Sequence, residues 1–132
     1  MYILRVCKKY GYSRDCLHYL FQSLIMSLFK YAISVWGCAS YSKYLSRIDK
    51  LQKRAVRFGY LRKITPVKEL IETSDARLWE NITNTPGNPL SHLLSPKRTR
   101  ILRERGHEYI PPRVKTERFK NVFLNRCLFN YI

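Results

Sequence analysis

Apolar residues recur at steps of three and four along the first third of the chain, and this spacing predicts helices. A short first helix is expected from Tyr2 to about Tyr10, closed by Gly11. Ser13 then has the position of an N-cap for a second helix, with Asp15 in its first turn, where the helix dipole favours negative charge. The apolar positions of this second helix predict one broad buried face: Leu17, Leu20, Phe21, Leu24, Ile25, Leu28, Phe29, Ala32, Ile33 and Trp36.

A transmembrane span is the alternative interpretation of the second helix. Crossing a bilayer takes roughly 18–20 consecutive apolar residues. His18, Gln22 and Lys30 interrupt the run before that length is reached. The pattern therefore favours a helix buried in a protein core, and Tyr31 and Trp36 near its end are expected to belong to that core.

A third helix is predicted from about Lys43 to Phe58, with Ser42 as its N-cap. Its apolar stripe comprises Leu45, Ile48, Leu51, Ala55 and Phe58, and Leu51 is expected in the core. Cations occupy most of its remaining surface: Lys43, Arg47, Lys50, Lys53, Arg54 and Arg57. Two interpretations fit such a basic amphipathic helix. Its charges are either solvated on a helix docked against the second one, or they bind phosphates, a membrane interface or a protein groove.

The pattern weakens downstream. Thr65 and Pro66 have the N-cap and first-turn positions of a fourth helix, which carries Leu70 and Ile71 and is expected to restart at Ala76. Beyond that restart lie Leu78, Ile82 and Trp79, the last expected in the core. Asn84 to Pro89 has the composition of a turn or linker. A basic stretch from Lys97 to His107 follows, and a last helical pattern runs from about Thr116 to Tyr131.

These elements predict a mainly α fold, a small helical hairpin or bundle with an irregular basic C-terminal tail. Three segments are expected: a helical hairpin over 1–63, a helix and Pro/Asn-rich connector over 64–96, and a basic segment over 97–132. No internal repeat is present.

The charge changes this picture most. Lys and Arg number 25 against 9 Asp and Glu, so the formal net charge is +16 and the isoelectric point is about 10.1. Eight of these cations lie in 43–63 beside one acid and ten lie in 97–126 beside three, whereas 64–96 holds two cations and four acids. Because such an imbalance opposes compaction, it indicates an acidic partner, with nucleic acid the first candidate and an anionic membrane the second.

Motifs for catalysis or metal binding are missing from the sequence. The cysteines Cys7, Cys16, Cys38 and Cys127 form no C-x-x-C pair, and the three histidines are scattered, so no zinc site and no cofactor are predicted. Two-metal chemistry needs clustered carboxylates, but the three aspartates stand far apart in sequence. A cysteine nucleophile stays open as a minor alternative, since no motif marks any one thiol.

Phosphate binding is better supported. Aromatic residues lie among the cations, where they can stack on bases: Tyr41, Tyr44, Tyr60, Tyr109 and Phe119. The residues predicted to contact nucleic acid are Lys43, Arg47, Lys50, Lys53, Arg54 and Arg57 on the third helix and Lys97, Arg98, Arg100 and Arg103 in the tail.

Seven segments follow one another along the chain in a distinctive order: Leu4-Arg5-x-x-Lys8, Tyr31 to Gly37, Ile48 to Arg57, Leu78-Trp79, Asn88-Pro89-Leu90, Lys97 to Arg105, and Phe119 to Asn130. Together they resemble the C-terminal part of the reverse transcriptase of non-LTR (LINE-type, Jockey/CR1-like) retrotransposons. The likeness covers almost the whole chain and rests on the order and spacing of its segments, none of which is specific alone.

In that family the corresponding region is a thumb and post-polymerase extension, which the resemblance implies would hold RNA or DNA through its phosphates and pack against other parts of the polymerase. The family's catalytic Phe/Tyr-x-Asp-Asp motif is absent here. The expected function is thus that of a catalytically inactive fragment with residual, non-specific RNA or DNA binding. The first sixty residues also look like a segment labelled as the N-terminal domain of an AlkB-homologue tRNA-modifying enzyme, without the motifs of such an enzyme.

The alternative function is a basic helical module that binds a membrane or a protein. Contact with a membrane is not expected, because the narrow, continuous apolar stripe of the third helix favours docking on the second helix. The N-terminal residues lack the basic segment and apolar core of a secretory signal, so an intracellular location, nuclear or cytoplasmic, is expected.

Overall fold

The structure is a computed structural model that describes residues 1–37, 42–99 and 108–130, with the backbone alone at 42 and 43. Its α-helices, numbered along the chain, are α1 (Tyr2–Lys9), α2 (Arg14–Phe21), α3 (Ser27–Lys30), α4 (Ile33–Trp36), α5 (Ser42–Arg57), α6 (Val67–Asn84), α7 (Glu117–Lys120) and α8 (Phe123–Asn130). A π-helix (Gln22–Met26) joins α2 to α3, and a 3₁₀ turn (Ser91–Leu93) follows α6.

The predicted fold class, mainly α, is confirmed. Over the described ranges the only β pairing is an isolated antiparallel bridge between Lys97 and Tyr109. The chain forms two compact units: unit 1 comprises Met1–Ile33 and Tyr41–Leu70, and unit 2 comprises Ser34–Ser40 and Ile71–Ile132. This division follows spatial contacts, and the three linear segments expected from the sequence stay a prediction.

The core of unit 1 joins residues from four helical elements and the turn after α5. It contains Leu4, Leu17, Phe21, Met26, Ala55, Tyr60 and Leu61. Burying a Leu or Phe side chain contributes about 1.5–3 kcal/mol relative to leaving it in water, so this cluster is the main source of stability in the unit. The ends of α1 and the start of α2 are as predicted: Gly11 has a φ of +80°, and the Cys16 N–H donates to the Ser13 Oγ at 3.3 Å.

The second predicted helix is not one regular α-helix. Its buried positions follow a step of four from Leu17 to Phe21 and then a step of five to Met26, across the π-helix. One extra residue in that turn moves the following side chains round the axis. Leu24 and Leu28, which were placed on the buried face, are therefore exposed, and Met26 takes their place in the core.

Tyr31 was predicted to be a core residue, and this is wrong: its side chain is 81% exposed. The helix breaks at this point. Tyr31 has an extended backbone (ψ 124°) and Ala32 is left-handed (φ 47°), so the helical spacing used for the prediction ends before it. Of the other predicted core residues, Trp36, Leu51 and Trp79 are each half-buried.

The stripe of α5 that faces the core also differs from the prediction. Phe58 is exposed, whereas Gln52 is 1% exposed. The Gln52 Nε2 donates to the Thr65 carbonyl at 2.8 Å, and the Thr65 N–H donates to the Gln52 Oε1 at 2.9 Å. Because the amide satisfies both backbone groups of one residue, it fixes the approach to α6 without leaving a buried polar group unsatisfied.

Helix α6 is continuous from Val67 to Asn84, so the predicted restart at Ala76 is wrong. At its start the Val67 N–H donates to the Asp49 Oδ1 at 3.0 Å. A carboxylate from α5 thus accepts a hydrogen bond at the first turn of α6, where the helix dipole favours negative charge. The predicted N-cap of α5, Ser42, has a side chain outside the described residues.

Unit 2 is organised around a buried ion pair between α6 and α8. Arg126 contacts Asp75 through two hydrogen bonds, Nε to Oδ2 at 2.6 Å and an Nη to Oδ1 at 2.9 Å. The same guanidinium donates to the carbonyl oxygens of Asn121 and Ser34. The final helical pattern of the sequence is two helices. Cys127 and Leu128 of α8 are buried, whereas Phe119 of α7 and Val122, between the two helices, are exposed.

Candidate nucleic-acid interface

The basic side chains predicted on the third helix lie on the surface of α5. Five of them are exposed: Arg47, Lys50, Lys53, Arg54 and Arg57. Positions 47, 50, 54 and 57 follow steps of three and four, so they share one face of the helix. The Arg47 guanidinium lies 5.4 Å from the centre of the Tyr44 ring, which holds it along the helix surface. The side chain of Lys43 lies outside the described residues.

The predicted tail residues are only partly described, because Arg100 and Arg103 lie outside the described residues. Lys97 is exposed, and its Nζ contacts the Glu108 Oε2 at 2.8 Å. This hydrogen bond and the opposite charge raise the pKa of Lys97 and lower the pKa of Glu108. The Arg98 N–H donates to the Glu108 carbonyl. Lys97 therefore already has an acidic partner within unit 2, whereas none of the ion pairs between described residues involves Arg47, Lys50, Lys53, Arg54 or Arg57.

In unit 1 the structure brings further cations to the α5 face. A cleft of about 420 Å³ is lined by Arg5 of α1 and Arg54 of α5, together with Met1, Phe58 and Tyr60. The cleft thus brings together positively charged side chains from two helices. Like charges repel each other, and a bound anion would reduce that repulsion.

A second cleft of about 350 Å³ shares Phe58 with the first. Lys8, Arg14 and Arg57 line it, with Tyr12, Leu17 and Gly59 completing its wall. The Lys8 Nζ donates to the Phe58 carbonyl at 2.8 Å and lies 5.8 Å from the centre of the Tyr60 ring. Lys8 is thus held in place by neutral groups, and it belongs to none of the ion pairs found between described residues.

The turn after α5 shapes this second cleft. The Gly59 N–H donates to the Val56 carbonyl at 2.9 Å and the Tyr60 N–H to the Ala55 carbonyl at 2.8 Å, the two bonds of a Schellman motif. Gly59 has a φ of +76°, which glycine adopts without strain. The Arg14 Nε and the Lys8 Nζ lie 3.7 and 3.9 Å from the position a Cβ would take on Gly59. The turn therefore places the backbone of Gly59 beside the side chains of Lys8 and Arg14, which belong to α1 and α2.

The clefts have no acidic side chain in their described linings. Asp15, next in sequence to Arg14, forms an exposed ion pair with Arg62. The arrangement can therefore offer positive charge, hydrogen-bond donors and two exposed rings, Tyr12 and Phe58, to a ligand. It offers no carboxylate for acid–base chemistry or for holding a cation.

Three cations of this surface, Arg5, Lys8 and Arg14, were not among the residues predicted to bind nucleic acid. Arg5 and Lys8 lie three apart on a short helix, so they are neighbours on its surface, and both side chains are exposed. That spacing was readable in the sequence. Their meeting with Arg54, Arg57 and Arg14 depends on how α1 packs, which local spacing does not reveal.

Over residues 1–37, 42–99 and 108–130, no three His, Cys, Asp or Glu side chains are grouped so as to hold a metal ion. No helix in that part of the chain has the length and apolarity required to cross a bilayer. No protein-family model, curated protein or solved structure matches this chain. The interpretation of the basic surface therefore rests on its geometry and charge.

Proposed function

We propose that this chain binds RNA or DNA without sequence preference, through the phosphates, and that the cationic surface of unit 1 carries the binding. The observation behind the proposal is the meeting of cations from α1, α2 and α5 around Phe58 in two clefts without a lining acid. Lys and Arg that neutralise phosphates release condensed counterions, and this gives affinity that is independent of sequence.

The resemblance to the post-polymerase region of a LINE-type reverse transcriptase supports the same proposal. We propose that the chain is such a region, working beside other parts of a polymerase, in the nucleus or cytoplasm. Its own contribution would be to hold nucleic acid. The first sixty residues also resemble a segment labelled as the N-terminal domain of an AlkB-homologue tRNA-modifying enzyme. That resemblance implies contact with RNA as well, and it implies no catalytic activity for this chain.

The lack of catalysis is part of the proposal, and the places of the three aspartates support it. Asp15 pairs with Arg62, Asp49 accepts a hydrogen bond from the start of α6, and Asp75 pairs with Arg126. Each carboxylate has a structural partner, and two-metal phosphoryl chemistry needs at least two of them side by side.

The proposal is tested with the full chain and fluorescently labelled duplex and single-stranded RNA, by anisotropy across a salt series. We expect binding that weakens steeply with salt, with a slope of log K against log salt near 0.9 per duplex phosphate neutralised. A variant with Lys50, Lys53, Arg54 and Arg57 changed to Gln should lose most of the affinity and several units of this slope.

The matched control removes four charges elsewhere, from exposed residues of unit 2: Arg113, Lys115, Arg118 and Lys120, each changed to Gln. Both variants have the same net charge, so a larger loss in the α5 variant assigns the binding to unit 1. Equal losses, or binding without a salt slope, would contradict the proposal. Stronger association with anionic vesicles than with RNA at matched salt would favour the membrane alternative.

A further inference from the structure

The cleft formed by Lys8, Arg14 and Arg57 differs from the remainder of the basic surface. Its three cations come from three helices, whereas those along α5 form a row. Lys8 and Arg14 both approach Gly59 within about 4 Å of the same point. Three positive groups that converge on one small space suit one compact anion with several oxygens, such as a phosphate.

Two aromatic rings lie at this convergence. Tyr12 and Phe58 both line the cleft, and their side chains are 53% and 46% exposed. Phe is among the residues most often buried on folding, yet Phe58 stays at the surface here, whereas the neighbouring Leu17 and Tyr60 belong to the core. Their open faces beside the cations are suited to stacking on a flat ring carried by the same ligand.

A phosphate with an adjacent flat ring is the repeating unit of a nucleic acid. In a duplex the bases are stacked on each other inside the helix, so a surface ring meets only the backbone. In a single strand every base has a free face, and base–aromatic stacking adds affinity regardless of sequence. The rings are therefore useful only for unpaired nucleotides.

We infer that the Lys8–Arg14–Arg57 cleft is a subsite for one phosphate and its neighbouring unpaired base, which stacks against Tyr12 or Phe58. The inference rests on the proposed function and sharpens it. The α5 row supplies affinity for any polyanion, and the cleft supplies a preference for single strands over duplex.

The test compares the full chain on a labelled oligouridine of about 20 nucleotides and on a duplex RNA of the same length. The key variant is the double substitution Tyr12→Leu/Phe58→Leu, which keeps apolar bulk and removes both rings. We expect about tenfold weaker binding to oligouridine. Binding to duplex should change less than about twofold, because phosphate contacts are untouched.

The matched control changes two exposed tyrosines of unit 1 that line neither cleft, Tyr2→Leu/Tyr19→Leu. It should bind both RNAs as the parent does. A second variant, Tyr12→Phe/Phe58→Tyr, keeps both rings and should retain the preference. This variant keeps the test decisive if the leucine variant melts at a lower temperature than the parent.

The charge half of the subsite is tested by Lys8→Gln/Arg14→Gln/Arg57→Gln, which should lower the oligouridine salt slope by about 0.7 for each phosphate lost. Equal losses on duplex and oligouridine for Tyr12→Leu/Phe58→Leu, or no loss on either, overturn the subsite while leaving phosphate binding by α5 intact. Absence of salt-dependent binding to both RNAs by the parent chain overturns the proposed function and the subsite with it.

Discussion

The two units place their positive charge in opposite environments. In unit 1 the core is apolar, and cations from three helices face the solvent around two clefts. In unit 2 an arginine lies inside: the side chains of Arg126 and Asp75 are 10% and 3% exposed. Lys97, at the surface of the same unit, is paired with Glu108. Unit 1 thus leaves the cations that line its clefts available to a ligand, whereas unit 2 uses at least two of its cations for its own structure.

This difference shows why counting charges along the sequence does not identify the residues that form a binding surface. Arg126 and Lys97 belong to the stretch with ten cations, yet both have carboxylate partners. Arg5, Lys8 and Arg14 lie outside the two basic stretches, 43–63 and 97–126, and still line the clefts of unit 1. What decides whether a cation can bind a phosphate is the absence of an acid within reach, which is a property of the fold.

The largest expected effect comes from breaking the buried pair of unit 2. Asp75→Asn leaves the guanidinium of Arg126 buried without a countercharge, and losing one partner of such a pair costs about 3–5 kcal/mol. Urea unfolding followed by circular dichroism measures this loss. Arg126→Met should cost a similar amount, because it leaves the Asp75 carboxylate buried without a countercharge.

That experiment has two controls. The double variant Asp75→Leu/Arg126→Met removes both charges and should lose less than either single variant, since apolar groups of similar size can replace a buried pair. Arg118→Met, an exposed arginine of the same unit, should change the free energy of unfolding by less than about 0.5 kcal/mol. A loss at Arg118 equal to that at Arg126 would remove the contrast between buried and exposed cations.

A smaller effect is expected from the buried polar group of unit 1, which is neutral. Gln52→Leu keeps the volume of the side chain but leaves the N–H and C=O of Thr65 without their partner, at a cost of about 1–3 kcal/mol. Gln22→Leu is the matched control, because the hydrogen bond that the Gln22 side chain accepts from Lys30 is exposed to solvent. Urea unfolding midpoints of the two variants should differ clearly, and equal midpoints would refute the role given to Gln52.

Local sequence rules predicted the helical class, the ends of α1 and the N-cap of α2, because caps and glycine turns depend on a few adjacent residues. They failed where the exposure of a residue depends on more than its nearest neighbours in the sequence. The π-helix at Gln22–Met26 shifted Leu24 and Leu28 outward, and the break after α3 exposed Tyr31.

The candidate site divides in the same way. The exposed α5 cations follow from one helix and its spacing, so they were predicted. The clefts need α1 packed beside the turn after α5, which depends on contacts some fifty residues apart, such as the Lys8 hydrogen bond to Phe58. Helical periodicity carries no signal for that contact.

The reactivity of the Cys127 thiol, near the buried Asp75–Arg126 pair, measures how readily unit 2 opens. Burial, with the nearby Asp75 charge, raises the pKa of Cys127 to about 12. Iodoacetamide at pH 8 should therefore label the exposed Cys16 and spare Cys127 until urea is added, as read by peptide mass spectrometry. Early labelling of Cys127 would mean that unit 2 opens readily.

The same pKa has a consequence for stability at alkaline pH. The thiol of the unfolded chain ionises near its ordinary pKa of 9.0, whereas the folded thiol keeps its proton to about pH 12. The unfolded state therefore binds fewer protons in that interval, and stability falls as pH rises through it. The fall in the urea midpoint between pH 9 and pH 11 should be larger for the parent than for Cys127→Ala.

The smallest effect is expected at the exposed ion pair of unit 2. Glu108→Gln removes the carboxylate that partners Lys97, and both groups are fully exposed, so solvent screens their attraction and the melting temperature should not change measurably. The substitution nevertheless adds one unit to the net charge and frees a lysine. RNA affinity should therefore rise slightly at low salt, and this gain should vanish as salt is raised. An equal gain from Glu80→Gln, an exposed acid on α6, would show that net charge alone is responsible, whereas a gain confined to Glu108→Gln would make Lys97 a cation that its partner keeps from the ligand.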